Sequence, residues 1–340
     1  MILSVLDQSP ISSGGAADAA IRESLVLARE CEALGYARYW VAEHHNSDSI
    51  AGSAPEILIG AIAATTSRIR VGSAGIMLPH YSALKVAEQF RVLEAIAPGR
   101  IDLGLGRAPG SDGRTAFALN PQAATASDHF PAMVRDLAHW LQGERLVEGH
   151  PFRDIRAQPA GSSAPQMWIL GSSDYGAQVA AHFGLPFCFA HFITDGAGME
   201  HAFDIYRRGY RPSEAWPTPH AALTVWALAA RTEEEADTLV SSRLLARLWR
   251  DTGRYAPLPS PAEAAAWPLS DLERAQIARI RGRAIFGTAP SVVAKLNQLA
   301  ALMGIDEIAI LTAAHDPLAR RRSYALIAEA AGMTTSSQAA

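Results

Sequence analysis

"RYWVAEHHNSD", residues Arg38 to Asp48, carries the reading of the fold. Arg38 to Glu43 read as a buried strand rich in aromatic and aliphatic side chains. The apolar run ends abruptly in Glu43, His44 and His45, then breaks into a polar loop. A strand that delivers a carboxylate and two imidazoles at its C-terminal end places chemistry where parallel α/β barrels place it.

The same rhythm extends in both directions. "ILSVL" from Ile2 is a strand, and Ala17 to Leu34 reads as a helix stopped at Gly35, where a C′ glycine belongs. Pro55 and Glu56 open the next helix, as a first turn prefers. "IRVGSAGIML" is a third strand, followed by Val86, Phe90 and Leu93 at helical spacing. "IDLGLG" is a fourth, and a long loop rich in Gly, Pro and Asp follows it up to a helix capped by Ser127 and Asp128. "MWILGSS", "PFCFAHF", "ALTVWALAA" and "DEIAIL" supply four more strands, each with a helix after it. About eight such units with no linker between them predict an α/β fold, a closed (β/α)8 TIM barrel. The expected limits are one domain over residues 1–332, an irregular insertion at about 242–285 before the last strand, and a flexible tail at 333–340.

Bulk properties narrow the function. Hydrophobic residues make up 49% and charged residues 19%, and the formal charge is only −4. No basic block recommends nucleic acid. The N-terminus lacks the pattern of a signal peptide, and no apolar stretch approaches the ~20 residues of a membrane helix. Cys31 and Cys188 read as small buried hydrophobes, so a soluble, reducing, cytoplasmic setting is expected.

Three strand ends carry unusual residues. A metal site built from Glu43, His44, His45 and His80 is the weaker reading, because adjacent strand residues point to opposite faces and no metal motif is present. "GLGRAPG" imitates a dinucleotide loop, but Pro109, Gly110 and Gly113 keep it from opening a helix. What remains there is Arg107, a surface ion pair or a phosphate clamp. In "LGSSDYG", Gly171 permits close backbone approach, and Ser172 and Ser173 stand at a helix N-terminus. Alone they are an ordinary cap; beside Arg107 they suit a phosphate. Ser73, Ala74 and Gly75 interrupt a β-branched strand with small residues, which suits either barrel packing or a flat ligand.

Taken in order, "AEHH", "RIRVGSAGIMLPHYSALKVAEQF", "LEAIAPGRIDLGLGRAPGSD", "WILGSSDYGAQVAA", "FGTAPSVVAKL" and "DEIAIL" resemble the bacterial luciferase-like flavin monooxygenases, in the group related to the luciferase α subunit. The resemblance covers nearly the whole chain. It implies FMN, used reduced with O2 through a flavin 4a-hydroperoxide, to oxidise a small apolar organic or carbonyl compound. His44 would be the catalytic histidine beside the flavin. Ser73 and Ala74 would lie on the isoalloxazine, joined by a cis peptide bond. Arg107, Gly171, Ser172 and Ser173 would hold the phosphate, and Glu43 and His45 would support His44. A separate NAD(P)H:flavin reductase, a homodimer, no metal and no membrane or nucleic-acid partner complete the expectation. A deazaflavin-dependent hydride-transfer enzyme and a non-catalytic flavin-binding protein are the alternatives. Leu6, Ile76, Met77 and Trp226 are expected to line an apolar mouth.

Overall fold

The computed structural model describes residues 1–108 and 110–333. Nine strands run in parallel: β1 (Ile2–Asp7), β2 (Arg38–Val41), β3 (Arg70–Met77), β4 (Ile101–Gly106), β5 (Gln166–Gly171), β6 (Phe187–Phe189), β7 (Ala221–Ala230), β8 (Ile285–Thr288) and β9 (Glu307–Leu311). Eight of them close the expected barrel in the order β1 to β7 and then β9, which pairs back to β1. The ninth, β8, escapes sequence reading because it is four residues long and lies outside the ring. It pairs with Ala227–Ala230 of β7, beyond Trp226, where the β7–β9 pairing ends. At ten residues β7 is the longest strand, and its far half outruns the barrel.

Alternation sorts the side chains into two cores. Val5, Tyr39, Val71, Leu103, Ile169 and Phe187 face the surrounding helices. Leu6, Trp40, Trp168, Cys188, Trp226 and Leu311 fill the barrel interior. Both faces are buried, which is why the strands read as almost continuous apolar runs.

The insertion is not irregular. The helix Glu233–Asp251 runs on into it, and two further helices, Pro261–Ala266 and Asp271–Arg283, each begin with a capping box, from Ser260 and Glu263 and from Ser270 and Glu273. Its Pro and Trp residues hid these short helices, whereas the serine-to-glutamate spacing announced them. The long loop after β4 is likewise partly helical, over Gly113–Leu119 and Ala123–Asp128, and the following helix begins at Phe130. Asp112 starts the first of these by accepting the N–H groups of Arg114 and Thr115. Pro109 and all but the first residue of the expected tail lie outside the described residues.

The floor of the barrel, at the N-terminal ends of the strands, is ionic. Arg38 donates to Asp102 at 2.8 Å through Nη1 and to Glu307 at 2.8 Å through Nε. Asp102 also accepts from Arg70 at 2.6 Å and from the Trp40 indole at 2.9 Å. Glu307 accepts from Ser4 at 2.7 Å and lies 3.2 Å from His220. Removing one member of a buried charge set strands the others, which costs about 3–5 kcal/mol. Asp102→Ala is therefore expected to lose stability of that order in urea denaturation, and a loss below about 1 kcal/mol would contradict this account.

Candidate active site at the C-terminal mouth of the barrel

Glu43 organises the end of β2. Its carboxylate is fully buried. It accepts the Met77 backbone N–H at 2.9 Å and the Tyr81 hydroxyl at 2.7 Å, and it meets His45 Nε2 at 2.7 Å. Burial, followed by the charge of Glu43, pushes the Tyr81 phenol well above its ordinary range, so Tyr81 remains a donor. These bonds fasten the loop after β2 to the end of β3 and occupy His45.

His44 is left for something else. Its backbone N–H is bonded to the Gly52 carbonyl at 2.8 Å. Its ring is only part-covered overall, yet among the described residues Nδ1 is sealed from solvent and has no hydrogen-bond partner. The ring borders an open cavity of about 340 Å3, shared with Ile11, Ile21, Asn46 and Ile50. Burial pushes its pKa down to about 4. The imidazole is therefore neutral at pH 7. The ordinary value near 6.5 suggested by residue type alone does not survive burial.

The loops after β2 and β4 meet. Asn46 donates to Asp112 at 3.2 Å, and the His45 N–H reaches the Gly110 carbonyl at 3.4 Å. Arg107 stands immediately after β4, its guanidinium carbon 4.0 Å from the centre of the Tyr175 ring. It forms no ion pair among the described residues, so the surface salt bridge is not what holds it. Tyr175 lies in the first turn of the helix Asp174–Phe183, whose N-cap is Ser173. Ser173 makes no side-chain cap bond, unlike Ser82, Thr232, Ser260 and Ser270 at other helix starts. Its exposed hydroxyl and the first-turn N–H groups remain open to an acceptor. Ser172, beside it, is half-buried. Gly171 is not forced by crowding, since a Cβ there would find its nearest neighbour at 3.6 Å.

The β3 segment is built differently from the expectation. The cis peptide bond joins Ala74 to Gly75, not Ser73 to Ala74. Ser73 is fully buried and spends its hydroxyl on β4, donating to the Gly104 carbonyl at 2.9 Å and accepting the Gly104 N–H at 3.1 Å. Ala74 packs against the barrel interior. Pairing slips between Ala74 and Ile76, which turns Ile76 into the outer core and away from the mouth. Gly75 is obligatory in this slip: a Cβ there would lie 2.6 Å from Leu170 Cδ1 and 2.7 Å from the Gly104 carbonyl oxygen. Tyr81 and Tyr175 went unsingled in the sequence, because only the fold brings them against Glu43 and Arg107.

The fold is a closed parallel (β/α)8 barrel, with His44 and Arg107 both at strand ends on its C-terminal side. Residues 1–307 match the model of the luciferase-like monooxygenases, and the chain belongs to that family. A luciferase-like monooxygenase of Escherichia coli (strain K12) is 38% identical over 324 residues, 95% of each chain. The N-acetyl-S-alkylcysteine monooxygenase of Bacillus subtilis (strain 168) is 37% identical over 331 residues, 96% of this chain and 97% of its relative. The crystal structure of apo-MsnO8 superposes with a TM-score of 0.89 at 36% identity, covering 98% of this chain and 99% of the other. The oxygenating constituent of 3,6-diketocamphane monooxygenase from Pseudomonas putida, a type II Baeyer-Villiger enzyme solved with FMN, shares the fold at a TM-score of 0.71 and 18% identity, over 99% of each chain.

The depressed His44 pKa makes a pH prediction. Between pH 6.5 and 4 the unfolded chain binds a proton at this ring and the folded chain does not, so stability falls as pH falls. Above pH 6.5 the ring is neutral in both states and contributes no slope. From pH 7 to pH 5 the parent should lose about 2 kcal/mol more than His44→Gln in urea titrations. Equal losses would show that His44 is not held neutral.

Proposed function

We propose that the chain is the oxygenating component of a two-component, FMN-dependent monooxygenase. The observation that carries this is Arg107, lying on Tyr175 at a helix start whose serine cap is unused. A guanidinium, a free hydroxyl and first-turn N–H groups suit a phosphate dianion. Arg107, Ser172 and Ser173 would hold that phosphate, with Gly171 leaving room for it, and Ala74 would lie along the flavin ring. Reduced FMN would supply the electrons by which one oxygen atom of O2 enters the organic substrate and the other leaves as water.

The chain's own residues supply what such chemistry needs around it. Leu6 and Trp226, in the barrel interior, keep water out and favour a small apolar organic or carbonyl compound. His44 presents Nδ1, unpartnered among the described residues, as a proton acceptor at the mouth; its pKa of about 4 makes it a weak base at pH 7, so a proton it takes there is readily returned. Glu43 holds the backbone on which His44 is mounted, through Met77 and Tyr81. A separate NAD(P)H:flavin reductase, a homodimer and a cytoplasmic setting complete the proposal.

Two measurements test it. Arg107→Ala should weaken reduced FMN roughly tenfold or more, the worth of one charge-assisted contact, and leave riboflavin nearly unchanged. Equal losses for both flavins would remove Arg107 from the phosphate. His44→Ala should keep FMN binding while product formed per O2 consumed collapses, with the rate of oxygenation down ~10²–10⁴-fold and hydrogen peroxide released instead. If His44→Ala couples as well as the parent, the proton role is wrong. Turnover with a reduced deazaflavin and no O2 uptake would replace oxygenation by hydride transfer.

A further inference from the structure

Three strands round the ring from β4, a second set of donors lacks acceptors. Trp226 lies where β7 leaves the barrel and is 7% exposed. Among the described residues its indole Nε1–H is sealed from solvent without a hydrogen-bond partner. Arg243, on the helix Glu233–Asp251, lays its guanidinium over the same ring, with Cζ 5.3 Å from the centroid. Among the described residues it has no hydrogen bond and no ion pair. Both side chains line one cavity, together with His191, Phe192, Asp195 and Arg283.

The nearby carboxylates are already taken. Arg247 donates to Asp195 at 3.1 and 3.2 Å through its two terminal nitrogens and to Asp251 at 2.9 Å through Nε. Arg250 faces Asp251 at 3.7 Å. Three arginines thus share two carboxylates, and Arg243 is the one left over. Burial, then repulsion from Arg250 and Arg247, pushes its guanidinium down to about 9, the mark of a cation without its anion. Arg283, exposed at the cavity's edge, adds a further positive charge.

The size of the cavity limits what fills it. Space for water-sized groups is about 20 Å3, against the roughly 10–15 Å3 that one water needs. A terminal group fits, and a whole substrate does not. A carboxylate offers two oxygens in one plane, which answer a guanidinium fork and an indole N–H together. Phe192, Leu244 and Ile280 complete the cavity wall, and the body of such a molecule would extend out of it.

We propose that this cavity seats the carboxylate of an organic acid, with Arg243 and the Trp226 indole as its donors, so that the enzyme's substrates are apolar molecules carrying one acidic end. The assignment as substrate rests on the monooxygenase reading; the binding itself does not. It is therefore tested without flavin or oxygen, by calorimetric titration of octanoate and of octanamide, which has the same shape but no charge. Octanoate should bind the parent at least tenfold more tightly than octanamide. Arg243→Gln should erase that preference, and Trp226→Phe, which keeps the ring and removes the N–H, should reduce it severalfold, each variant being checked for parental circular dichroism. No octanoate binding, equal binding of the two probes, or a preference that survives Arg243→Gln would overturn the proposal. So would an Arg243→Gln variant that loses affinity for FMN but not for riboflavin, since the cavity would then hold the cofactor's phosphate. Failure of the Arg107 experiment alone would overturn the phosphate seat and leave this site standing.

Discussion

Arg38 is clamped between Asp102 and Glu307 across the floor of the barrel, and the closure of the ring depends on that clamp. Its three members come from β2, β4 and β9, so the contact bridges strands that are not neighbours in the sheet. Such a cluster adds little net stability over an apolar filling, because desolvating the charges offsets most of their attraction. Its effect is on register. A slip of one residue in any of the three strands would turn a charge outward among helices and leave its partners unpaired inside. Trp40 and Trp168 meet edge to face above the cluster, ring centres 5.0 Å apart, and cover it with apolar surface.

The opposite end of the ring follows the opposite rule. On the floor the charges find partners, whereas at the mouth His44 Nδ1, the Trp226 indole and the Arg243 guanidinium have none among the described residues. Buried donors and acceptors without partners are costly, and natural proteins keep few of them. Glu43 makes this sustainable. By absorbing three donors it holds the β2 loop in place, so His44 need not make a bond of its own to be ordered.

The β3–β4 contact shows how packing and site share the same residues. Gly75 and Gly104 have no room for a side chain, and Ser73 uses its hydroxyl to tie the two strands together at the slip. Small residues there permit the close approach of the two backbones, and Ala74 packs toward the barrel interior. Sequence alone could raise barrel packing as one reading of Ser73, Ala74 and Gly75; it could not see the slip that moves Ile76 outward, because that is a property of the pairing.

The alternation of apolar strands and amphipathic helices determined the barrel from the sequence, since residues buried on both faces leave a signal that local pattern carries. The strand ends were legible for the same reason: "AEHH", "GRAPG" and "SSDYG" stand out where apolar runs stop. What local pattern cannot carry is pairing across the ring. A sequence separation of 17 says nothing of the Arg243 guanidinium lying over the Trp226 ring, and one of 264 between Glu43 and Glu307 says nothing of why one braces the mouth and the other the floor. Tertiary structure decided that His44 is neutral, that Ser173 leaves its helix uncapped and that Arg243 lacks a carboxylate. Each is a statement about which groups remain unsatisfied after every neighbour has been placed, and that balance exists only once the chain is folded.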